Sequence, residues 1–415
     1  MLLVLVATAC SGEGQSGEIR FLVFGEPAEL QAFRSVVKEF RTVEPDITVT
    51  LVEASDRNDL IARLSTSFAG GEPPDLFLIN YRFFGQFAVR GVLEPIEGRL
   101  EGSDAFDADD FYAKALDAFR LDGELVCLPQ NISSLVVYYN RDLFAKAGVQ
   151  EPTPGWTWDE MVEKAIALTR DENGDGNVDQ YGLGVEPTLI RIAPFVWSNG
   201  GELVDDEAQP TRFTLDSPAA DAALRAFFDL RQLHLVVPTE EEIESEDDET
   251  RFLNGRTAMV LSSRRATPTF RTITAFDWDV APLPRHKKQA GILHSDAYCM
   301  TSASKEKDAA WRFMEFALGP EGQRITARSG RTVPSLIEVS RSEAFLDPTA
   351  KPASSRVFLD TIPFIRRVPN ISTWPEIENA SEGILEGGLY ESVPSAEVTR
   401  QLNARTRGMF ARAER

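Results

Sequence analysis

Apolar residues along the first eighty positions repeat with two alternating periods. Residues 19–24 are apolar but for Arg20, the pattern of a buried strand. Leu30, Phe33, Val37 and Phe40 then recur at helical spacing. Residues 47–52 alternate as a half-exposed strand does, and Leu60, Ile61, Leu64 and Phe68 mark a second helix. The run Gly70-Gly71-Glu72-Pro73-Pro74 breaks that helix before a third strand at 76–79. Strands alternating with helices predict an α/β fold with a parallel sheet. Ligands of such sheets bind beyond the carboxyl ends of the strands. The positions to watch are therefore Gly25-Glu26, Glu53-Ala54-Ser55 and Asn80-Tyr81-Arg82, where each apolar run turns polar.

Farther along, 135–139 read as a strand, 141–147 as a short helix stopped by Gly148, and 152–155 as a Pro-rich turn. Thr157 and Glu160 form a capping box that opens the next helix. Ser217-Pro218 begins another, which runs to about His234. The stretch 239–250 carries eight carboxylates in twelve residues and reads as a solvated acidic loop. A helix through Trp311, Phe313 and Phe316 stops at Gly319-Pro320, and two more close the chain, opened by Trp374-Pro375 and by Ser395.

At 415 residues the chain exceeds what one core serves, so two domains are expected. A formal net charge of −22 excludes nucleic acid as a partner, because phosphate binding needs clustered Lys and Arg. It equally excludes adhesion to anionic lipid through a basic patch. Residues 1–9 are apolar or small, and Ala7-Thr8-Ala9 lead directly to Cys10 and a polar Gly/Ser stretch over 11–17. This resembles a bacterial lipoprotein box. It implies a signal peptide over 1–9, shortened by a start codon assigned too far downstream, a lipidated Cys10 and a tether over 10–17. Cys127 and Cys299 lie in apolar surroundings without a Cys-x-x-Cys pair, and read as two buried thiols on neighbouring strands rather than a disulfide.

Catalytic signatures are missing. The sequence has three histidines and contains no HExxH, GxSxG or P-loop pattern. Its GxGxxG match, Gly12 to Gly17, precedes the first strand and belongs to the tether. Asp171, Asn173, Asp175 and Asp179 take the oxygen-ligand spacing of an EF-hand loop with Gly176 at the sharp turn. Gly182 stands where the bidentate Glu should be, so the loop reads either as a weak Ca²⁺ site or as an Asx-rich turn.

Three ordered sets of residues carry a family resemblance. After an apolar strand come Tyr139-Asn140, Ala147-Gly148 and Thr157-Trp158-Asp159-Glu160; then Phe252-x-x-Gly255-Arg256-x-Ala258-Met259; then the strand and turn from Trp278 to Pro284. The chain thus resembles the bacterial extracellular solute-binding proteins of ABC importers, in the sugar-binding family typified by maltose-binding protein. The resemblance implies a periplasmic-binding-protein-like fold, two α/β lobes with the ligand cleft between them and a hinge of three crossings. On these motifs the crossings fall near 129–131, 294–297 and 330–334. The N-terminal lobe would then comprise 18–129 and 296–331, and the C-terminal lobe 130–295 and 332–415.

It further implies a monomer with no cofactor and no catalysis, anchored outside the cytoplasmic membrane, that passes its solute to the transmembrane subunits of an ABC permease. Sugars stack on aromatic rings and hydrogen-bond through their hydroxyl belt. The ligand-binding candidates are Glu26, Glu53, Asn80 and Tyr81 at the strand ends, and Asn131 and Asp296 at the crossings. Trp197, Asn199, Arg264 and Trp374 would form the opposite wall, Trp374 as the stacking ring; for each aromatic the other reading is ordinary core packing. Ser262-Ser263-Arg264-Arg265 follow the Ala-Met strand where the family often has an aromatic residue, which leaves room for an acidic sugar or a glycerol phosphate gripped by Arg264. Two other classes remain: a secreted carbohydrate-active enzyme, which must turn its sugar over, and a surface adhesion lipoprotein, which would close around no small solute.

Overall fold

The computed structural model describes residues 17–414, so the signal segment, Cys10 and nearly all of the tether lie outside the described residues. The first three strands form where the apolar runs place them: β1 (Gly17–Phe24), β2 (Ile47–Ala54) and β3 (Leu76–Asn80), with β1 parallel to both neighbours. Between them run α1 (Pro27–Val43) and α2 (Arg57–Gly70). Helix α1 turns Phe33, Val36 and Phe40 onto the sheet, and α2 turns Leu60 and Leu64. Asp56 caps α2 by accepting from the Asp59 amide, and Gly71 ends it with a φ of 75°, a left-handed conformation that suits glycine.

The expected parallel sheet is completed by antiparallel strands. Asp296–Met300 pairs antiparallel with β3, and Cys127–Pro129 pairs antiparallel with Asp296–Met300 at the sheet edge. That register sets Cys127 opposite Cys299 with Cα atoms 4.4 Å apart, close to the narrow pair spacing of an antiparallel ladder, and the two sulfurs are bonded. The expectation of two free thiols is corrected. A separation of 172 residues along the chain hid a direct cross-strand contact.

A second, antiparallel sheet has Val136–Asn140 at its centre, flanked by Met259–Ser262 and Trp278–Pro282. Three stretches run side by side between the two sheets. Gln130 N–H donates to Asp296 O (2.8 Å), Ile132 N–H to Val333 O (3.0 Å), and Ser133 and His294 exchange both backbone bonds at 2.8 Å. The acidic stretch also departs from expectation. It folds into two short helices, Glu240–Ser245 and Asp248–Leu253, capped by Thr239 and Asp247, because carboxylates are favoured in first turns. Asp248 is thereby buried. No helix among the described residues is long and apolar enough to cross a membrane.

Candidate functional site

Where the two sheets meet, a cavity of about 540 Å³ opens, within the ~300–1,000 Å³ typical of small-molecule sites. One wall is made by the carboxyl ends of the first three strands: Phe24 to Glu26, Ser55 to Asn58, and Asn80 with Arg82. The floor comes from the three crossing stretches, through Asn131, Ser133, His294, Asp296 and Arg331. The opposite wall consists of 186 and 188–191, Ser263 with Arg265, and Glu378 with Glu382. Seven carboxylates and five arginines line this space, so its charge is nearly balanced, and Phe24 supplies the one phenyl ring among the lining residues.

Asp296 is the centre of the floor. Its two oxygens accept from Asn80 Nδ2 (3.0 Å) and Asn131 Nδ2 (3.2 Å), while its own amide donates to Asn131 Oδ1 (3.0 Å). Asn80 caps α3 (Tyr81–Ala88) through the Arg82 amide and also accepts from Arg82 Nε at 3.3 Å. Arg82 then crosses to the other wall and meets Glu378 Oε2 at 2.6 Å, with both side chains nearly buried. The other Glu378 oxygen accepts from the indole of Trp374 at 2.9 Å.

Most of the remaining charge is also neutralised by the protein. Arg331 pairs with Glu29 and, at 3.5 Å, with Glu26; Arg265 pairs with Glu249 at 2.5 Å and Glu26 at 3.7 Å; Arg191 pairs with Glu186 at 3.2 Å. Burial pushes the Glu29 carboxyl up to about 7, reinforced by Asp296 and Glu26 and opposed by Arg331. Gly25 makes room for it, since a Cβ there would sit 2.5 Å from Glu29 Oε2. Burial, and then the fields of Arg191, Arg82, Arg265 and Arg57, hold His294 well below its ordinary range, so its ring is neutral at pH 7. Arg57 stands apart. Its guanidinium lies 5.9 Å from the Phe24 ring and 5.3 Å from the Phe83 ring, and its Nε is buried without a hydrogen-bond partner.

Of the ten ligand-binding candidates, Glu26, Asn80, Asn131 and Asp296 line this cavity. The other six do not. Glu53 leaves β2 toward α1, where both its oxygens take the Arg34 guanidinium at 2.6 and 2.8 Å. Tyr81 is the first residue of α3 and turns into the core, where burial raises its phenol; its neighbour Arg82 faces the cavity instead. Trp197 is buried under the Arg366 guanidinium, 4.7 Å away. Asn199 Nδ2 donates to Ala219 O at 2.7 Å, and the residue borders a separate cavity beside Trp158 and His286.

Arg264 is 1% exposed: it donates to Gly330 O (2.7 Å) and Ser355 Oγ (3.2 Å) and lies over Phe345 and Phe358. Burial pushes its guanidinium down to about 9. Arg265, one residue on, reaches the cleft in its place. Trp374 is fully buried, edge-on to Phe213 with centroids 6.4 Å apart, and offers no face to a ligand. In the Asp-rich loop, Asp171 accepts from the Gly174 and Gly176 amides, Asn173 from Asp175, Asp175 from Asn177, and Asp179 from Glu172. The loop is closed by these Asx turns, and no group of three or more His, Cys, Asp or Glu side chains among the described residues could hold a metal ion.

Sequence reasoning missed Glu29, Arg57, Arg191, His294, Glu378 and Glu382. Arg57 and Glu29 lie in the first turns of helices that follow strand ends, a placement that topology could have flagged. Glu378 and Glu382 recur at helical spacing four and eight residues after Trp374, on one face of the helix Trp374–Leu389.

Comparison with known proteins agrees with this fold. The model of the bacterial extracellular solute-binding protein family matches residues 25–324. A Brucella abortus protein described as a binding protein is 26% identical over 399 residues, 93% of this chain and 92% of that one. The maltotriose-binding protein of Pyrococcus abyssi is 26% identical over 325 residues, 76% of this chain and 65% of its own length. An ABC substrate-binding protein from Listeria monocytogenes, solved in complex with cycloalternan, superposes with a TM-score of 0.86 at 26% identity, covering 95% of this chain and 99% of that one.

Proposed function

The chain belongs to the bacterial extracellular solute-binding protein family, and we propose that it captures a sugar between its two sheets for delivery to an ABC permease. The observation that carries this reading is the floor of the cleft. Asp296 is held by one amide from β3 and one from a crossing stretch, so a ligand seated there touches both halves of the molecule. Four of the five arginines that line the cleft are paired with carboxylates, Arg57 being the exception, which suits an uncharged, polyhydroxylated ligand. Hydroxyls both donate and accept, and can bridge an Arg–carboxylate pair without leaving either charge uncompensated. A relative that binds maltotriose and a structural neighbour that holds cycloalternan support a sugar over a phosphate or an acidic sugar.

The lobes are assigned as 18–129 with 296–331 and 130–295 with 332–415, hinged at the three crossings. The protein acts as a monomer outside the cytoplasmic membrane, anchored through Cys10, without cofactor or catalysis. The permease would recognise the closed form, populated in proportion to the ligand's preference for it.

Thermal-shift and calorimetric screening across mono- and oligosaccharides tests the reading. A cognate sugar at a hundred times its Kd should add about 2.7 kcal/mol of stability, and should be recovered unchanged. Binding of glycerol 3-phosphate or a uronic acid in preference to every neutral sugar would overturn it.

A further inference from the structure

We propose that Trp374 is a positioning residue: its indole N–H holds Glu378 in place to meet Arg82 across the cleft, so that a ring with no exposed face aligns a ligand-facing ion pair. Trp374 and Glu378 are four residues apart on the same helix face. One Glu378 oxygen takes the indole at 2.9 Å, and the other takes Arg82 at 2.6 Å. Arg82 is fixed from its own side by Asn80, and Asn80 by Asp296. Five side chains thus connect a buried ring behind one wall to the floor of the cleft.

The need for a clamp follows from what surrounds Glu378. Glu382 stands one turn along the same helix and also lines the cleft; its carboxyl is raised by burial and then by the charges of Glu386, Glu378 and Glu186. Without the indole, like-charge repulsion and three free side-chain torsions would let Glu378 leave Arg82. A nearly buried ion pair is stabilising only when its geometry is held and its remaining hydrogen-bonding capacity is used. The indole N–H supplies that constraint from inside the core, where no ligand can displace it.

This inference rests on the reading of the cleft as a sugar site only for its binding arm; the first arm needs no ligand. Small-angle scattering compares the ligand-free wild type with Trp374→Phe, which keeps a ring and removes the N–H, with Glu378→Gln, and with the double variant. Each single variant should enlarge the radius of gyration as the cross-cleft tie loosens, and the double variant should add nothing further. An expansion caused by Glu378→Gln but not by Trp374→Phe overturns the proposal, as does no expansion in either.

The second arm measures maltotriose affinity. A hydrogen bond to a charged group is worth about tenfold or more in an equilibrium constant, so Trp374→Phe should bind about tenfold more weakly. Its loss should not multiply with that of Glu378→Gln, whereas a ring that merely packs would give multiplicative losses. A wild type that ignores maltotriose and every other sugar would remove the sugar reading, while the scattering arm still decides the positioning role. Should Trp374→Phe fail to fold, the indole N–H resonances of the six tryptophans decide in wild type and Arg82→Met. One indole signal moves if the relay is continuous; none moving overturns it.

Discussion

The two walls of the cleft are built differently. The wall formed by β1, β2 and β3 consists of strand ends followed at once by the first turns of helices, so backbone topology alone turns its polar residues toward the cavity. The opposite wall gathers Glu186 and 188–191, Ser263 with Arg265, and Glu378 with Glu382 from three stretches distant in sequence. There, tertiary packing decides which of two nearby residues faces the cleft. Arg264 goes into the core and Arg265 into the cleft; Trp374 goes into the core and Glu378 into the cleft. A polar strand end in an α/β sheet is strong positional information. A large residue near a helix start is weak information, because the same ring suits a ligand and a core.

The largest expected effects break the molecule where the second wall is backed by core. Arg264→Ala removes a buried cation and leaves Gly330 O and Ser355 Oγ without their donor, and should cost about 3–5 kcal/mol of stability. Trp197→Ala empties a fully packed site and should cost a similar 3–5 kcal/mol. Arg265→Ala, by contrast, should change stability by less than about 1 kcal/mol and appear in ligand affinity. Urea unfolding alongside calorimetry separates the two outcomes. A stable Arg264→Ala with weakened binding would reverse the assignment of the two arginines.

A second test uses one buried carboxylate in the first wall and one behind the second. Glu29 is pushed up to about 7 from an ordinary 4.5, and burial with nearby Glu186 pushes Asp248 up to about 8 from 3.8. In each case the folded state keeps a proton that the unfolded state has released. Stability is therefore full below the unfolded value and is lost as pH rises through the folded one. The windows run from 4.5 to about 7 for Glu29 and from 3.8 to about 8 for Asp248. At 1.36 kcal/mol per unit, the Glu29 window is worth about 3 kcal/mol. Melting temperature should fall from pH 5 to pH 9, and Asp248→Asn should flatten the limb between about pH 7 and pH 8, where the Glu29 contribution is fading and Asp248 still holds its proton. An unaltered limb in that variant would mean that the second wall is wetter than its packing indicates.

The floor tests what joins the walls. Asp296→Ala removes the acceptor shared by Asn80 and Asn131, and should weaken ligand binding by about 2 kcal/mol, roughly thirtyfold. Both amides it leaves line the cavity, where water can take the place of the carboxylate, so folding should survive. A Kd unchanged from wild type would move the ligand off the floor.

The legibility of the sequence follows the same division. The three-strand start, the polar strand ends and the ordered motifs of the middle of the chain specify the fold, because apolar period and turn residues are local signals. Glu26, Asn80, Asn131 and Asp296 were identifiable from topology and from the crossings. Glu53 was not separable from them, because it ends an edge strand beside Arg34 and nothing local reveals that partner. The Cys127–Cys299 bond was invisible for the same reason, since its register is set by a strand that returns 172 residues later.

The smallest expected effect is also the one that most cleanly isolates the first wall. Arg82, Arg191, Arg265 and Arg331 each have a carboxylate partner, so removing any of them also abandons a charge. Arg57 makes no ion pair or hydrogen bond among the described residues, and its guanidinium lies over the Phe24 and Phe83 rings. Its replacement orphans nothing. Arg57→Ala should therefore leave unfolding free energy within about 0.5 kcal/mol of wild type. Ligand affinity should drop about tenfold, the worth of one charged hydrogen bond. Arg57→Lys keeps the charge but not the planar fork, and should fall between the two. If Arg57→Ala binds as tightly as wild type, the open fork is not part of the site, and ligand contact on this wall narrows to Glu26, Asn80 and Arg82. If stability falls instead, packing against Phe24 and Phe83 is what Arg57 serves, and the contrast between a wall set by strand ends and a wall set by the core no longer holds at this position.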